Sequence, residues 1–125
     1  LRDGEDHAFY AQFNAVEDIP YALLAYAGDT ACACAALKPF GESQLELKRM
    51  FVHPDHRRQG FAQQLLAQLE GWAVELGAIQ LVLETGVRQP EAIALYTQAG
   101  FRRMAKNYGQ YEHVADSLCF EKILR

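Results

Sequence analysis

The sequence predicts a mixed α/β (α+β) fold, a twisted β-sheet flanked by helices, and three observations carry that reading. A strand-like run from Gln44 to Val52 leads into a strongly amphipathic stretch and then into a second apolar run, Ala78 to Glu84. Strand, helix and strand in that order imply a parallel pair with a right-handed crossover. Short strand-like runs before and after this unit add antiparallel neighbours, which makes the sheet mixed. The chain has 125 residues, 50% of them hydrophobic, and no low-complexity tract, so residues 1–125 are expected to form a single domain.

Each element follows from local chemistry. Phe9, Phe13 and Val16 stand at helical spacing, which predicts a short helix over His7 to Val16 that Pro20 ends. Tyr21–Tyr26 and Thr30–Leu37 read as strands joined by the turn-prone Ala27-Gly28-Asp29. Lys38-Pro39-Phe40-Gly41 reads as the next loop. In Gln44–Val52, Leu45 and Leu47 alternate with Glu46 and Lys48 until Met50-Phe51-Val52 breaks the pattern, which signals a bulge or a change of environment. Phe61, Leu65, Leu69, Trp72 and Leu76 form one helical stripe, stopped by Gly77. Pro90 and Glu91 suit the first turn of a second helix carrying Ala92, Ile93, Leu95, Tyr96 and Ala99, which Gly100 ends. Two final strands are expected, at Phe101–Lys106 and Ser117–Ile123.

Composition excludes several classes of function. The formal net charge of −4 disfavours nucleic acid as a partner and is compatible with a cationic amine. No run is long enough to span a bilayer and the first residues are polar, so no membrane association and a cytoplasmic location are expected. Cys32, Cys34 and Cys119 are odd in number, and two lie on one face of a strand. They read as buried, reduced core residues rather than a disulfide framework. The four histidines are scattered, so no metal site is expected.

The segment from His53 to Ala62 joins a strand to a helix through a turn with two arginines, and Gly60 stands at the helix start. Unpaired N–H groups and the positive end of the helix dipole suit a phosphate there. A P-loop is disfavoured, because no Gly-Lys-Ser/Thr follows the turn. His53 and His56, flanking Pro54, read as solvent-facing turn residues.

The pattern Arg57-x-x-Gly60-x-Ala62 resembles the pyrophosphate-binding signature of the GNAT acyltransferase superfamily. Gln89-Pro90-Glu91-Ala92-Ile93-Ala94-Leu95-Tyr96-Thr97-Gln98-Ala99-Gly100-Phe101 resembles its second pattern, Asn-x-x-Ala-x-x-Leu-Tyr-x-x-x-Gly-Phe. The two occur in the family's order with a strand between them, and the resemblance runs from about Tyr21 to the C-terminus. It is similar in particular to stand-alone bacterial N-acetyltransferases. Two features depart from the family: Gln89 stands where many members carry asparagine, and the chain starts after the strand and helix that usually open the domain. That N-terminal strand and helix are therefore expected to be missing or trimmed. Part of the acceptor site would then be lost, or supplied by a partner subunit as in a homodimer.

The resemblance implies the GNAT acyl-CoA N-acyltransferase fold and direct transfer of an acetyl group from acetyl-CoA to a primary amine. It places the cofactor pyrophosphate on the amides of Arg57, Arg58, Gln59, Gly60, Phe61, Ala62 and Gln63. The backbone N–H of Met50 would meet the thioester oxygen, Phe51 and Val52 would pair with the pantetheine arm, and Gln89 would contact the cofactor. Tyr96 would protonate the leaving thiolate. Glu46 is either the general base, acting through a water, or a surface carboxylate paired with Lys48. Glu84 is a second base or the counter-charge for the amine. The loop from Lys106 to Asp116 either lines the acceptor pocket with Tyr108 and Tyr111 or is a plain hairpin connection. A cysteine acyl-enzyme is disfavoured, since no histidine is placed to activate a thiol. A small-molecule amine is the expected acceptor. The alternatives are a protein or peptide amine, or an acyl-CoA-binding sensor without turnover.

Overall fold

The computed structural model describes residues 20–124, so the helix expected at 7–16 lies outside the described residues. Strands β1 (Tyr21–Ala27), β2 (Thr30–Gly41) and β3 (Gln44–Val52) form an antiparallel meander. A 3₁₀ turn, Pro54–His56, leads to helix α1 (Phe61–Glu75), then β4 (Gln80–Gly86) and helix α2 (Pro90–Gln98). The two-residue β5 (Arg102–Arg103), a second 3₁₀ turn (Gly109–Tyr111) and β6 (Ser117–Ile123) complete the order. The sheet is mixed, with spatial order β1-β2-β3-β4-β6-β5, and only β3 and β4 run parallel.

Alternation decides which side chains reach the main core. Ala33, Ala35 and Leu37 of β2, Leu45 and Leu47 of β3, and Leu81 and Leu83 of β4 join one apolar cluster with Leu65, Leu66, Leu69 and Ala73 of α1. Their neighbours in the strands, including Cys32, Cys34, Glu46, Lys48 and Glu84, therefore point to the other face of the sheet. Trp72 of α1 meets the edge of Tyr21 at 5.4 Å, fixing the helix over the meander. Tyr96 of α2 packs on Phe101 and Phe120, with ring centroids 5.8 and 6.4 Å away.

Two irregularities shape the centre. β2 pairs Cys34 with Phe51 and then Ala36 with Lys48, so β3 carries one residue more than β2 across that interval. This is the expected bulge, at Arg49–Met50. In addition, β3 and β4 pair only from Gln44↔Gln80 to Glu46↔Val82. Beyond Glu46, β3 stays with β2 and β4 stays with β6, so the sheet opens along its midline.

Two boundaries differ from the sequence reading. Lys38–Gly41 is strand, with Pro39 opposite Leu45 and Gly41 opposite Gln44, and the turn shrinks to Glu42-Ser43. Pairing with β1 ends at Leu37, so the N–H that Pro39 lacks is not missed by that ladder. The strand expected over Phe101–Lys106 is only Arg102–Arg103. Phe101 gives its N–H to Tyr96 O as part of the end of α2, and beyond Met104, whose N–H reaches Cys119 O, the chain leaves the sheet.

Leu69 is fully buried at the contact of α1 with the sheet. Leu69→Ala is expected to cost about 2–5 kcal/mol of unfolding free energy, read as a lowered urea midpoint. A loss below ~1 kcal/mol would show that the helix does not pack as described.

Candidate active site

The opening between β3 and β4 holds a cavity of about 420 Å³. Leu47, Met50, Ala92, Leu95 and Tyr96 line it together with Glu46, Lys48, Glu84, Thr85, Gln89 and Tyr111. Leu47 and Tyr96 belong to the core beneath the helices, whereas Glu46, Lys48 and Glu84 alternate onto the opposite face. The cavity therefore passes through the sheet, apolar on the helix side and charged on the other.

Glu46 is buried at 7% exposure, which removes the solvated-surface reading of that residue. Its Oε2 accepts a 2.6 Å hydrogen bond from the Tyr108 hydroxyl and lies 3.8 Å from Lys48 Nζ. Lys48 in turn donates to the Tyr111 hydroxyl at 3.2 Å. Burial first, and then the bond to the Glu46 carboxylate, push the Tyr108 phenol far above its ordinary pKa, so it stays a donor. Glu84, across the opening on β4, accepts from Ser117 Oγ at 2.7 Å. Asn107 pins the loop that delivers both tyrosines, donating to Tyr111 O and Ser117 O at 3.2 and 2.8 Å. Of the two residues expected to face substrate, Tyr111 lines the cavity, while Tyr108 is spent on Glu46.

Tyr96 reaches the cavity from α2, and burial pushes its pKa up to about 12. Met50 borders the cavity at the bulge, and Gln89 borders it where α2 begins.

The turn before α1 lies outside the cavity walls. Arg58 has φ 64° and Gly60, the N-cap of α1, has φ 84°, left-handed conformations that glycine adopts without strain. No side chain caps α1 and no acidic residue sits in its first turn. The first N–H groups are thus left for an external anion, and these residues fit the phosphates of a coenzyme A. Arg57 is exposed but folds back along the end of β3: its Nε donates to Val52 O at 3.0 Å and its guanidinium lies 5.8 Å from the Phe51 ring centre. Gln63 borders a separate groove between α1 and α2, beside Glu70 and Lys122. His53 is not solvent-facing as expected but 7% exposed. Its Nδ1 accepts from Asp55 N at 3.1 Å, so the ring caps the 3₁₀ turn, and its backbone N–H donates to Cys32 O at 2.8 Å, which ties the turn to β2.

Sequence reasoning missed Ser117, Thr85 and the placement of Lys48 on the wall. Lys48 carried a signal, since it stands two residues from Glu46 on the same strand face. Ser117 carried none, because its partner is set by the register of β6 on β4.

Fold and site together resemble those of acetyl-CoA-dependent acyltransferases. The acetyltransferase (GNAT) family model matches residues 2–101, and the chain belongs to that family, whose members take the acetyl group from acetyl-CoA. An IAA acetyltransferase from Azospirillum brasilense is 37% identical over 120 residues, 95% of this chain and 77% of that protein. Human N-acetyltransferase 8 is 36% identical over 67 residues, 54% of this chain, and the chain spans only 30% of that relative's length. Among solved structures, a Klebsiella pneumoniae protein assigned to the acyl-CoA N-acyltransferases superposes with TM-score 0.83 at 32% identity, covering 98% of this chain and 92% of that one. A Bacillus subtilis acetyltransferase, crystallised with CoA, shares the fold with TM-score 0.77 at 20% identity, over 90% of this chain and 82% of that one. Among the described residues, no helix is long and apolar enough to cross a membrane.

The three cysteines form no disulfide and are buried, and burial raises the pKa of Cys34 to about 11. None is expected to react with a disulfide reagent at neutral pH until the protein is unfolded, when all three should titrate. Rapid labelling of the native protein would contradict this.

Proposed function

We propose that the chain moves the acetyl group of acetyl-CoA directly to the primary amine of a small molecule. The observation that carries this reading is the cavity of about 420 Å³ through the sheet, with Tyr96 at one side and two carboxylates at the other. Its size suits a small acceptor lying against the reactive end of the cofactor.

Acetyl-CoA, when bound, supplies a thioester carbonyl activated toward amines. The uncapped N–H groups at the start of α1, opened by Gly60, would hold its pyrophosphate, with Arg58 and Gln59 in the same turn. Arg57 would act by fixing the turn to the end of β3. The bulge takes Met50 out of the regular ladder, which supports its N–H as a donor to the carbonyl oxygen, a contribution of about 2–4 kcal/mol where such donors have been removed elsewhere. Phe51 and Val52 continue that edge along the pantetheine arm, and Gln89 closes its end. On the other face, Glu84 would attract the incoming ammonium and Glu46 would take its proton, directly or through a water. The Tyr108 hydrogen bond holds the Glu46 carboxylate in one orientation for that task. The ammonium loses one proton to Glu46 before it attacks. As the adduct collapses, the departing sulfur gains a proton from the Tyr96 hydroxyl, and the second proton of the nitrogen replaces it there, directly or through a water. The amide, the thiol and a protonated Glu46 result. With its pKa pushed up to about 12, Tyr96 keeps its hydroxyl proton throughout the neutral range.

Thiol release measured over a panel of amines and peptides tests the reading. Release with peptides alone would turn it toward a protein acceptor, and coenzyme binding without any release toward a sensor. Tyr96→Phe is expected to keep acetyl-CoA affinity and lower turnover by roughly 10²-fold. An unchanged rate would remove Tyr96 from the mechanism. Gly60→Glu is expected to abolish acetyl-CoA binding in calorimetry, since it forces a side chain with negative charge into a left-handed helix start. Normal affinity in the folded variant would mean that the phosphates bind elsewhere.

A further inference from the structure

The acceptor side of the cavity is dipolar rather than simply acidic. Among the described residues that line it, Glu46 and Glu84 are anionic and Lys48 is the one cation. A site built only for a simple alkylammonium gains nothing from a lysine on its wall, because the two like charges repel.

The hydrogen-bond direction at Lys48 supplies the second part of the argument. An ammonium has three protons to give. Lys48 gives one to the Tyr111 hydroxyl at 3.2 Å, and its contact with Glu46, at 3.8 Å, is too long for a strong hydrogen bond. The Tyr111 oxygen is the acceptor in its bond with Lys48, so its own proton is directed to a further partner and is polarised by the adjacent charge. Lys48 Nζ and Tyr111 Oη thus form a pair of donors side by side on the cavity wall. Two neighbouring donors, one of them charged, suit the two oxygens of a single carboxylate. Glu84 stands on the opposite strand, where Ser117 Oγ occupies one of its oxygens.

We infer that the acceptor is a small amino acid, an amine that also bears a carboxylate. Its carboxylate binds to Lys48 and Tyr111, while its amine lies toward Glu46 and Glu84. This rests on the reading of the chain as a small-amine acetyltransferase and adds the acceptor's second recognition group. Lys48 and Tyr111 are then specificity-determining residues, distinct from Tyr108, whose hydroxyl is engaged by Glu46.

Matched pairs that differ only in the carboxylate test this: L-phenylalanine against 2-phenylethylamine, and L-leucine against 3-methylbutylamine, each scored as kcat/KM for thiol release. The amino acid should be preferred by about tenfold or more, the scale of one or two hydrogen bonds to a charged group. Lys48→Met should remove that preference, lowering kcat/KM by about 10- to 100-fold for the amino acids, mostly through KM, and by less than about threefold for the plain amines. Lys48→Arg should retain most of the preference. Tyr111→Phe should lose part of it, and it carries the test if Lys48→Met does not fold. Equal use of both members of each pair, or an equal loss on both in Lys48→Met, would overturn the inference and leave Lys48 as a partner of Glu46 only. If no amine supports thiol release, the small-amine reading itself falls. Calorimetric binding of N-acetyl-L-phenylalanine, compared with N-acetyl-2-phenylethylamine, then decides the carboxylate site without any chemistry. Carboxylate-dependent binding that weakens about tenfold in Lys48→Met upholds the site, and its absence sinks it.

Discussion

The parting of β3 from β4 after Glu46 and Val82 is the constraint on which the rest of the structure depends. A continuous ladder would pair Leu47–Val52 with the end of β4 and leave no space at the middle of the sheet. Instead each strand keeps its outer neighbour, and both present backbone groups to a gap lined mostly by half-buried residues. Backbone groups left without a ladder partner there favour an occupant that can hydrogen-bond to them. The bulge in β3 belongs to the same geometry, since one additional residue opposite Ala35 bends the strand and re-aims the backbone near Met50. An extended amide-bearing chain such as the pantetheine arm of coenzyme A has the chemistry to fill that edge.

The gap also sets the electrostatics. Glu46 lies at the last paired position of β3, where its carboxylate is buried yet reaches the opening. A buried carboxylate needs hydrogen-bond partners, and Tyr108 supplies one from 62 positions along the chain. The loop that carries Tyr108 is held by Asn107 on one side and by the Phe40–Tyr108 ring contact, 4.8 Å between centroids, on the other. Phe40 is in place because β2 continues past Pro39 as strand. The end of β2, the loop after β5 and the carboxylate of β3 therefore form one cooperative unit.

Much of this was legible in the sequence, and what was hidden has a common cause. The stripe Phe61, Leu65, Leu69 and Trp72, the turn at Gly28-Asp29 and the failure of alternation after Lys48 are local patterns, and local sterics and burial decide them. Leu76, expected on the same stripe, is instead the exposed C-cap. The helix start at Gly60 was legible because the turn there is left-handed, which favours glycine. Lys38–Gly41 was misread because its turn-forming composition is local while its pairing with β3 is not. His53 looked like a polar turn residue, but its ring caps the turn and its backbone N–H is bonded to Cys32 O, a contact made only once β2 and β3 are side by side. The bonds from Tyr108 to Glu46 and from Ser117 to Glu84 join residues more than thirty positions apart, and no periodicity reports them.

A passage through the sheet bears on the order of chemical events. On the proposed reading, the thioester arrives from the side of α1 and α2, and the amine arrives from the side of Glu46 and Glu84. The two then meet in the gap with no need for the protein to carry the acetyl group between them. The cysteines accord with that. Cys34 is 2% exposed, with its thiol pKa raised to about 11 by burial, and Cys32 and Cys119 are fully buried. A thiol held protonated and shielded is a poor nucleophile, whereas an amine stripped of its proton beside Glu46 is a good one. The driving force for attack then comes from the acceptor's own nitrogen. On the same reading the protein contributes placement of that nitrogen, a base on one face of the sheet and, on the other, a proton donor, Tyr96, whose pKa burial raises to about 12.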